Sequence, residues 1–104
     1  MEDVLQLGGN IELSGFRDVD RSSFVIVKKI VGNYARKFSD SSSSFEKLQL
    51  SLKPANANEA KSKFELHALL VNDGQTHSAQ ETDHNLFVVL DNTLKKIETQ
   101  FKGV

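Results

Sequence analysis

The sequence has no cysteine, and this absence excludes several kinds of site at once. A chain without thiols forms no disulfide, no thiolate zinc site and no cysteine nucleophile. It also lacks any apolar run near the roughly 20 residues that a membrane-spanning helix needs. The first residues, MEDVLQLGG, are acidic and do not follow the pattern of a signal peptide. We therefore expect a protein of the reducing cytoplasm that contacts no membrane.

A strong charge of one sign is missing as well. The formal net charge is −1, which argues on average against a strongly basic nucleic-acid binder. Apolar residues make up 38% of the chain and charged residues 26%, as in soluble globular proteins. A length of 104 residues suits one domain with one core, so we predict a single domain over residues 1–104.

Sequence patterns that support catalysis are absent too. His67, His77 and His84 lack the i, i+4 spacing of a helical metal pair, although His84 could approach His77 in space. No serine lies in a Gly-x-Ser-x-Gly motif. Glu46 and Glu65 could face each other on neighbouring strands, but a polar sheet face predicts that arrangement without acid–base chemistry. We predict a non-enzyme with no catalytic residue, cofactor, metal site or small-molecule substrate.

Two amphipathic helices are the clearest features that are present. The stretch Asn85–Lys102 carries an apolar stripe at helical spacing, and the side chain of Asn85 can cap it. A second stripe predicts a helix over Phe24–Phe38, capped by Asp18 or Asp20; its length favours a helix although several residues are β-branched. The stripes are Leu86, Phe87, Leu90, Leu94, Ile97 and Phe101 in the last helix and Phe24, Val27, Val31, Tyr34 and Phe38 in the first.

Strict alternation of apolar and polar residues predicts one strand in the middle of the chain. Leu48, Leu50 and Leu52 alternate with polar residues after a serine-rich linker at Asp40–Ser44, which could carry phosphorylation. We expect Pro54 to end this strand and a polar loop to follow it.

The remaining strands have weaker signals. Phe64–Val71 predicts a second strand, and the Asp73-Gly74 pair predicts a type I′ hairpin turn. The polar run Gln75–Gln80 returns as a strand that we place at the edge of the sheet. Near the N-terminus, Val4–Ser14 predicts one strand with a bulge or bend at Gly8-Gly9.

Together these elements predict an α+β fold in the order β-α-β-β-β-α. We expect a single sheet of about four strands with both helices packed on one face, because this arrangement buries every apolar stripe and leaves one polar face. Glycine inside a helix costs about 1 kcal/mol relative to alanine, so we expect Gly32 to mark a close crossing with a neighbouring element.

Three segments carry a resemblance to a known family. GNIELS (9–14) is similar to a first strand that runs into a capped helix, VNDGQTH (71–77) to a Val-Asn-Gly-Gly hairpin followed by histidine, and NLFVVLDNTLKKIE (85–98) to a closing helix. In this order they resemble the ribosome hibernation-promoting factor family, also called ribosome-associated inhibitor A, over about Gly9 to Lys102. The matching positions of the closing helix are Asn85, Leu86, Phe87, Leu90, Asp91, Lys96, Ile97 and Glu98.

The resemblance implies both a fold and a function. The fold is β-α-β-β-β-α, like that of double-stranded RNA-binding domains. The function is binding to the small ribosomal subunit near its decoding region, across the tRNA and mRNA sites, which silences translation. The family's RNA contacts come largely from lysines and arginines of the two helices, and Lys96 matches one of them. This chain has Thr99 where members often have arginine, and Asn33 where they often have lysine.

The charge is unevenly distributed along the chain. Ser22–Phe38 holds four cations and no acid, whereas Leu86–Lys102 holds three cations and two acids. The helices thus carry +5, which leaves −6 for the other segments because the total is −1. Helices packed side by side would present a basic surface suited to RNA phosphates, although solvated helix faces alone would show the same lysines. The candidate RNA-binding residues are Lys28, Lys29, Arg36, Lys37, Lys95, Lys96 and Lys102.

Two hypotheses from different classes follow. The first is a small RNA-binding domain that binds ribosomal RNA of the small subunit and represses or stores translation. The second is a protein-interaction or dimerisation module, without RNA binding, that uses the exposed sheet face or an edge such as Thr76–Gln80, for example in a homodimer. Binding of other structured RNA by its shape is a third hypothesis.

Overall fold

The computed structural model describes residues 4–7, 10–17, 19–40, 45–55 and 63–102, and only the backbone at positions 54, 55, 101 and 102. The serine-rich residues 41–44 and the predicted polar loop at 56–62 lie outside these ranges. None of the described helices is long and apolar enough to cross a membrane. The elements are β1 (Val4–Gln6), β2 (Ile11–Ser14), α1 (Arg21–Asp40), β3 (Phe45–Ala55), β4 (Lys63–Asn72), β5 (Gln75–Asp83) and α2 (Leu86–Lys102).

The described strands form one sheet in the order β1-β2-β3-β4-β5, and both helices pack on the same face. The predicted α+β fold is therefore confirmed, with five strands where about four were expected. β2 and β3 are parallel, whereas the other neighbouring strands are antiparallel. Because β5 also runs parallel to β2, the helices that follow these two strands start at the same end of the sheet and run parallel to each other.

The additional strand comes from the segment Val4–Ser14, for which the sequence predicts one bent strand. β1 and β2 instead pair antiparallel, with Leu5 opposite Leu13. The chain reverses between them, and the amide of Leu7 donates to the carbonyl of Ile11 at 2.8 Å. The prediction of a single strand is therefore wrong. Gly8 and Gly9, where we expected the bend, lie outside the described residues.

The core lies between the helices and one face of the sheet, where the predicted alternation of β3 and β4 is buried. The stripe of α2 is wider than predicted, because Val89 and Thr93 are buried as well. Thr93 is tolerated there because its hydroxyl donates to the carbonyl of Val89 at 2.6 Å. The side chain of Phe101 is outside the described part. The core consists of Leu13, Phe16, Val27, Val31, Tyr34, Phe38, Leu48, Leu50, Leu52, Leu66, Ala68, Leu70, Leu86, Val89, Leu90, Leu94 and Ile97.

The predicted turn and helix caps are confirmed. Asp73 and Gly74 have φ values of 54° and 76°, as a type I′ turn requires. Asp20 accepts a bond of 3.2 Å from the amide three residues later and caps α1. Asn85 caps α2 by accepting bonds of 2.9 and 3.2 Å from the amides two and three residues later. Asp18, the other capping candidate, lies outside the described residues.

Two predictions about single residues are wrong. β3 does not end at Pro54 but continues to Ala55. Pairing between β3 and β2 stops at Ser51. The missing N–H of Pro54 therefore costs no hydrogen bond between these two strands. Gly32 does not mark a close crossing, because it is exposed and a Cβ atom built there would meet nothing within 4 Å. Packing in the described part of the chain therefore gives no reason for a glycine at this position.

Candidate nucleic-acid interface

The two helices are joined along a seam in which the acids of α2 face α1. The hydroxyl of Tyr34 donates to Asp91 at 2.8 Å. The Nζ atom of Lys37 lies 4.0 Å from Glu98 and also 4.9 Å from the centre of the Tyr34 ring. Asp91 and Glu98 are the two acids of α2. The seam thus takes up the negative charge of this helix and leaves the outward side of both helices to cations.

The environment of Tyr34 favours its neutral form. Burial raises the pKa of Tyr34 above its usual value, and the bond to Asp91 raises it further. Ionisation would remove the proton that Tyr34 donates and would place a phenolate beside a carboxylate. Tyr34 is the single tyrosine of the chain, so its ionisation can be followed directly.

This arrangement predicts a loss of stability at high pH. Because the pKa is higher in the folded than in the unfolded chain, the contribution of Tyr34 is complete below the unfolded pKa of about 10 and is lost as the pH rises above it. Urea unfolding at increasing pH measures this loss. We expect Tyr34→Phe to be about 1 kcal/mol less stable at neutral pH, and its stability to decline less in alkali. Equal alkaline declines in the two proteins would contradict the prediction.

The outward side of α1 carries four of the predicted cations. Lys29 and Arg36 lie opposite the buried stripe, with Lys28 and Lys37 on its two flanks. Among the residues that the structure describes, Lys28, Lys29 and Arg36 form no ion pair. The ammonium of Lys28 lies 5.6 Å from the centre of the Phe24 ring. The single acid of α1 is its last residue, so most of this side is positive and not neutralised.

The cations of α2 have a different environment. Lys95 Nζ lies 3.7 Å from Asp91, and Lys96 is paired with Glu81 of β5. The side chain of Lys102 is outside the described part. Exposed ion pairs contribute about 0–1 kcal/mol each, so these acids lower the local positive potential without fixing the lysines in place. The sequence alone gives no reason to distinguish the seven cations. In the described part of the structure, three cations on α1 form no ion pair, whereas Lys37, Lys95 and Lys96 are paired with acids.

The two departures from the family pattern lie on this same side. Asn33 borders a shallow depression between the helices, next to Arg36 and Asp91. Thr99 is exposed, and its hydroxyl donates to the carbonyl of Lys95 at 3.0 Å. Because neither side chain carries charge, the surface at these positions is less positive than the resemblance implies.

The sheet face away from the helices is polar, as predicted, and no element among the described residues covers it. Hydrogen bonds cross it from strand to strand. Gln49 donates to Glu12 at 2.8 Å, and Ser14 donates to Ser51 at 3.2 Å. The bond from Gln49 holds the pKa of Glu12 below its usual value. This face therefore carries mostly polar side chains, some of which bond to one another across the strands.

β5 is an edge strand, as predicted, but its edge is partly occupied. In a two-residue hairpin, alternate residues counted from Thr76 turn their N–H and C=O groups away from β4. Ser78 is one of them, and its carbonyl accepts a bond of 2.6 Å from the side-chain amide of Gln100 in α2. A partner strand would have to displace this bond in the middle of the stretch Thr76–Gln80.

The residues considered for catalysis do not come together. Glu46 accepts a bond of 2.8 Å from the β4–β5 turn, whereas Glu65 contacts His67 of its own strand. The predicted facing of Glu46 and Glu65 is therefore wrong, because they pair at different positions along the sheet. His77 and His84 are separated by the length of β5, about 20 Å. Within the described ranges, no group of three metal-ligating side chains occurs.

A cleft of about 460 Å³, which no sequence signal indicated, opens between the first turns of the two helices. Its apolar floor includes Leu52 and Phe64. Two of its rim residues, Asp20 and Asn85, already use their side chains as helix caps. The outward side of the helices is therefore the better candidate for a binding site.

Comparison with known proteins identifies a similar fold. The chain resembles the N-terminal domain of Protein Y from Thermus thermophilus, whose crystal structure superposes with a TM-score of 0.59. The two are 15% identical, and the match covers 95% of this chain and 98% of that domain. At this identity the similarity shows a shared fold. No protein-family model matches the chain, and no curated protein matches it.

Proposed function

We propose that this protein binds the small ribosomal subunit through the outward side of α1 and α2 and represses or stores translation in the cytoplasm. Ribosomal RNA is the proposed partner, and the proposal includes no enzymatic activity. The binding surface would consist of Lys28, Lys29, Arg36, Lys37, Lys95, Lys96 and Lys102.

The observation that carries the proposal is the separation of charge across the helices. Asp91 and Glu98 face the seam, where Glu98 pairs with Lys37. The other three candidate cations of α1 form no ion pair among the described residues; they are Lys28, Lys29 and Arg36. The low total charge of −1 therefore hides a positive side. Neutralising phosphates with such a side releases counterions, which is the main source of sequence-independent RNA affinity.

The fold is the second support. The order β-α-β-β-β-α, which the resemblance to the hibernation-promoting factor family implies, is present after an additional first strand. The Protein Y domain shares this fold over nearly its whole length. Both helices pack on the same face of the sheet, so their outward sides adjoin and together would form one RNA-binding surface.

Co-sedimentation with purified small ribosomal subunits over a series of salt concentrations tests the proposal. We expect binding at low salt that weakens steeply as salt rises, because each phosphate contact releases counterions. Large subunits and free duplex RNA serve as comparisons that separate ribosome binding from binding to any structured RNA. Absence of binding to small subunits even at low salt would refute the proposed function.

A protein-interaction or dimerisation module is the alternative, and the uncovered sheet face favours it. This face has a shallow depression around Gln49, His67 and Leu69 that a second sheet could cover. The β5 edge is the weaker candidate, since Gln100 already bonds to Ser78. Size-exclusion chromatography over a range of concentrations separates the two functions. A stable dimer without RNA affinity would support the alternative.

A further inference from the structure

A notch in the outward side of α1 is centred on Gly32, which is exposed and carries no side chain. On a helix the nearest surface neighbours of a residue lie three and four positions away. Three of these four neighbours are the candidate cations that form no ion pair among the described residues, and the fourth is small. The neighbours are Lys28, Lys29, Ala35 and Arg36.

The fold does not explain why this position is a glycine. Its φ is not in the positive range that favours glycine, and a Cβ atom built on it would meet no atom within 4 Å. Alanine would therefore fit and would strengthen the helix. Glycine at this position leaves the surface open, although alanine would stabilise the helix. Such a site suits the close approach of a ligand to the backbone.

We propose that this notch binds a phosphate group of the RNA backbone, with Lys28, Lys29 and Arg36 around it and the backbone of α1 beneath it. The arginine fork can bind two phosphate oxygens at once, and the lysines add point charges from the preceding turn. The inference rests on the proposed function and adds to it the position at which RNA lies closest to the protein.

The geometry favours RNA over an acidic peptide as the occupant. A carboxylate at the end of a flexible side chain reaches lysines and arginines without a close approach between the two backbones. A phosphate is part of the RNA backbone itself, so binding it brings that backbone against the helix. Only in the second case does a missing side chain at Gly32 increase the affinity.

Two variants at Gly32 test the notch while leaving every charge in place. Gly32→Ala adds one methyl group, and Gly32→Leu fills the notch. Ser22→Leu is the matched control, because it adds similar bulk at an exposed position of α1 whose neighbours three and four positions later, Val25 and Ile26, carry no charge. Binding of each full-length protein to purified small ribosomal subunits is measured over a salt series. Urea unfolding of each protein confirms that it folds, and we expect a higher midpoint for Gly32→Ala than for the wild type.

We expect Gly32→Leu to bind at least about tenfold more weakly than the wild type, with a salt dependence smaller by about one phosphate contact. The affinity of Gly32→Ala should lie between those of the wild type and Gly32→Leu, and Ser22→Leu should bind like the wild type. Equal binding by wild type and Gly32→Leu would overturn the notch while leaving the proposed function intact. A weaker Gly32→Leu with an unchanged salt dependence would overturn the assignment to a phosphate. If polyglutamate displaces the protein from small subunits as effectively as RNA does, an acidic peptide would be favoured over RNA. Failure of the wild type to bind small subunits would overturn both proposals.

Discussion

Gly15→Ala is expected to lower the free energy of unfolding by about 3 kcal/mol or more, although Gly15 is exposed. The backbone at Gly15 has a φ of 82°, which strains any residue with a Cβ atom. That atom would also lie 2.0 Å from the carbonyl oxygen of Leu52, far inside contact distance. The clash is with the backbone of the central strand β3, so no side chain can rotate away to relieve it.

Two other glycines separate the causes of this loss. Gly74→Ala introduces strain alone, because φ is 76° there and nothing lies within 4 Å of a Cβ atom; we expect a loss of about 1 kcal/mol. Gly32→Ala introduces neither strain nor contact and should gain up to about 1 kcal/mol. Urea unfolding of the three variants under one set of conditions gives the comparison. Equal losses of unfolding free energy at Gly15 and Gly74 would show that β3 shifts to accommodate the methyl group, contrary to our expectation.

The features that the sequence predicted well are those decided by residues near one another in the chain. The stripe of α2 follows from spacing alone, and the type I′ turn follows from Asp73-Gly74. The wrong predictions depend on which strands become neighbours. Pro54 was expected to end a strand, but its effect depends on whether β2 pairs with β3 beyond Ser51. The hairpin of β1 and β2 likewise requires knowing that the chain reverses.

The same distinction applies to the candidate site. Charge counting along the chain found the cations of both helices, because charge is a property of the sequence. It could not find which acids neutralise them, since Glu81 lies on β5 and pairs with Lys96 only after α2 folds back over the sheet. Nor could it find that Gly32 is surrounded by cations that form no ion pair in the described part of the chain. That result depends on the position of every acid in the fold.

The contrast between paired and unpaired cations leads to the second large effect, a loss of RNA binding in the double variant Lys29→Gln and Arg36→Gln. Both residues lie opposite the core on α1, so removing their charges should not disturb packing. Each lost phosphate contact reduces the slope of log affinity against log salt by about one. The slope for the double variant should therefore be smaller by about two. At moderate salt we expect an affinity for small ribosomal subunits at least about tenfold below that of the wild type.

The matched control for this prediction is the double variant Lys47→Gln and Lys53→Gln. It removes the same amount of charge from the chain, but from the opposite side of the domain, because both lysines alternate with buried residues of β3 and lie on the face away from the helices. If binding depends on the helix side, the control should bind nearly as well as the wild type, with a similar salt dependence. If binding depends only on the total charge of the protein, the affinity of both double variants should fall by the same factor. The latter result would contradict a localised RNA-binding surface, since long-range attraction alone would then account for the affinity.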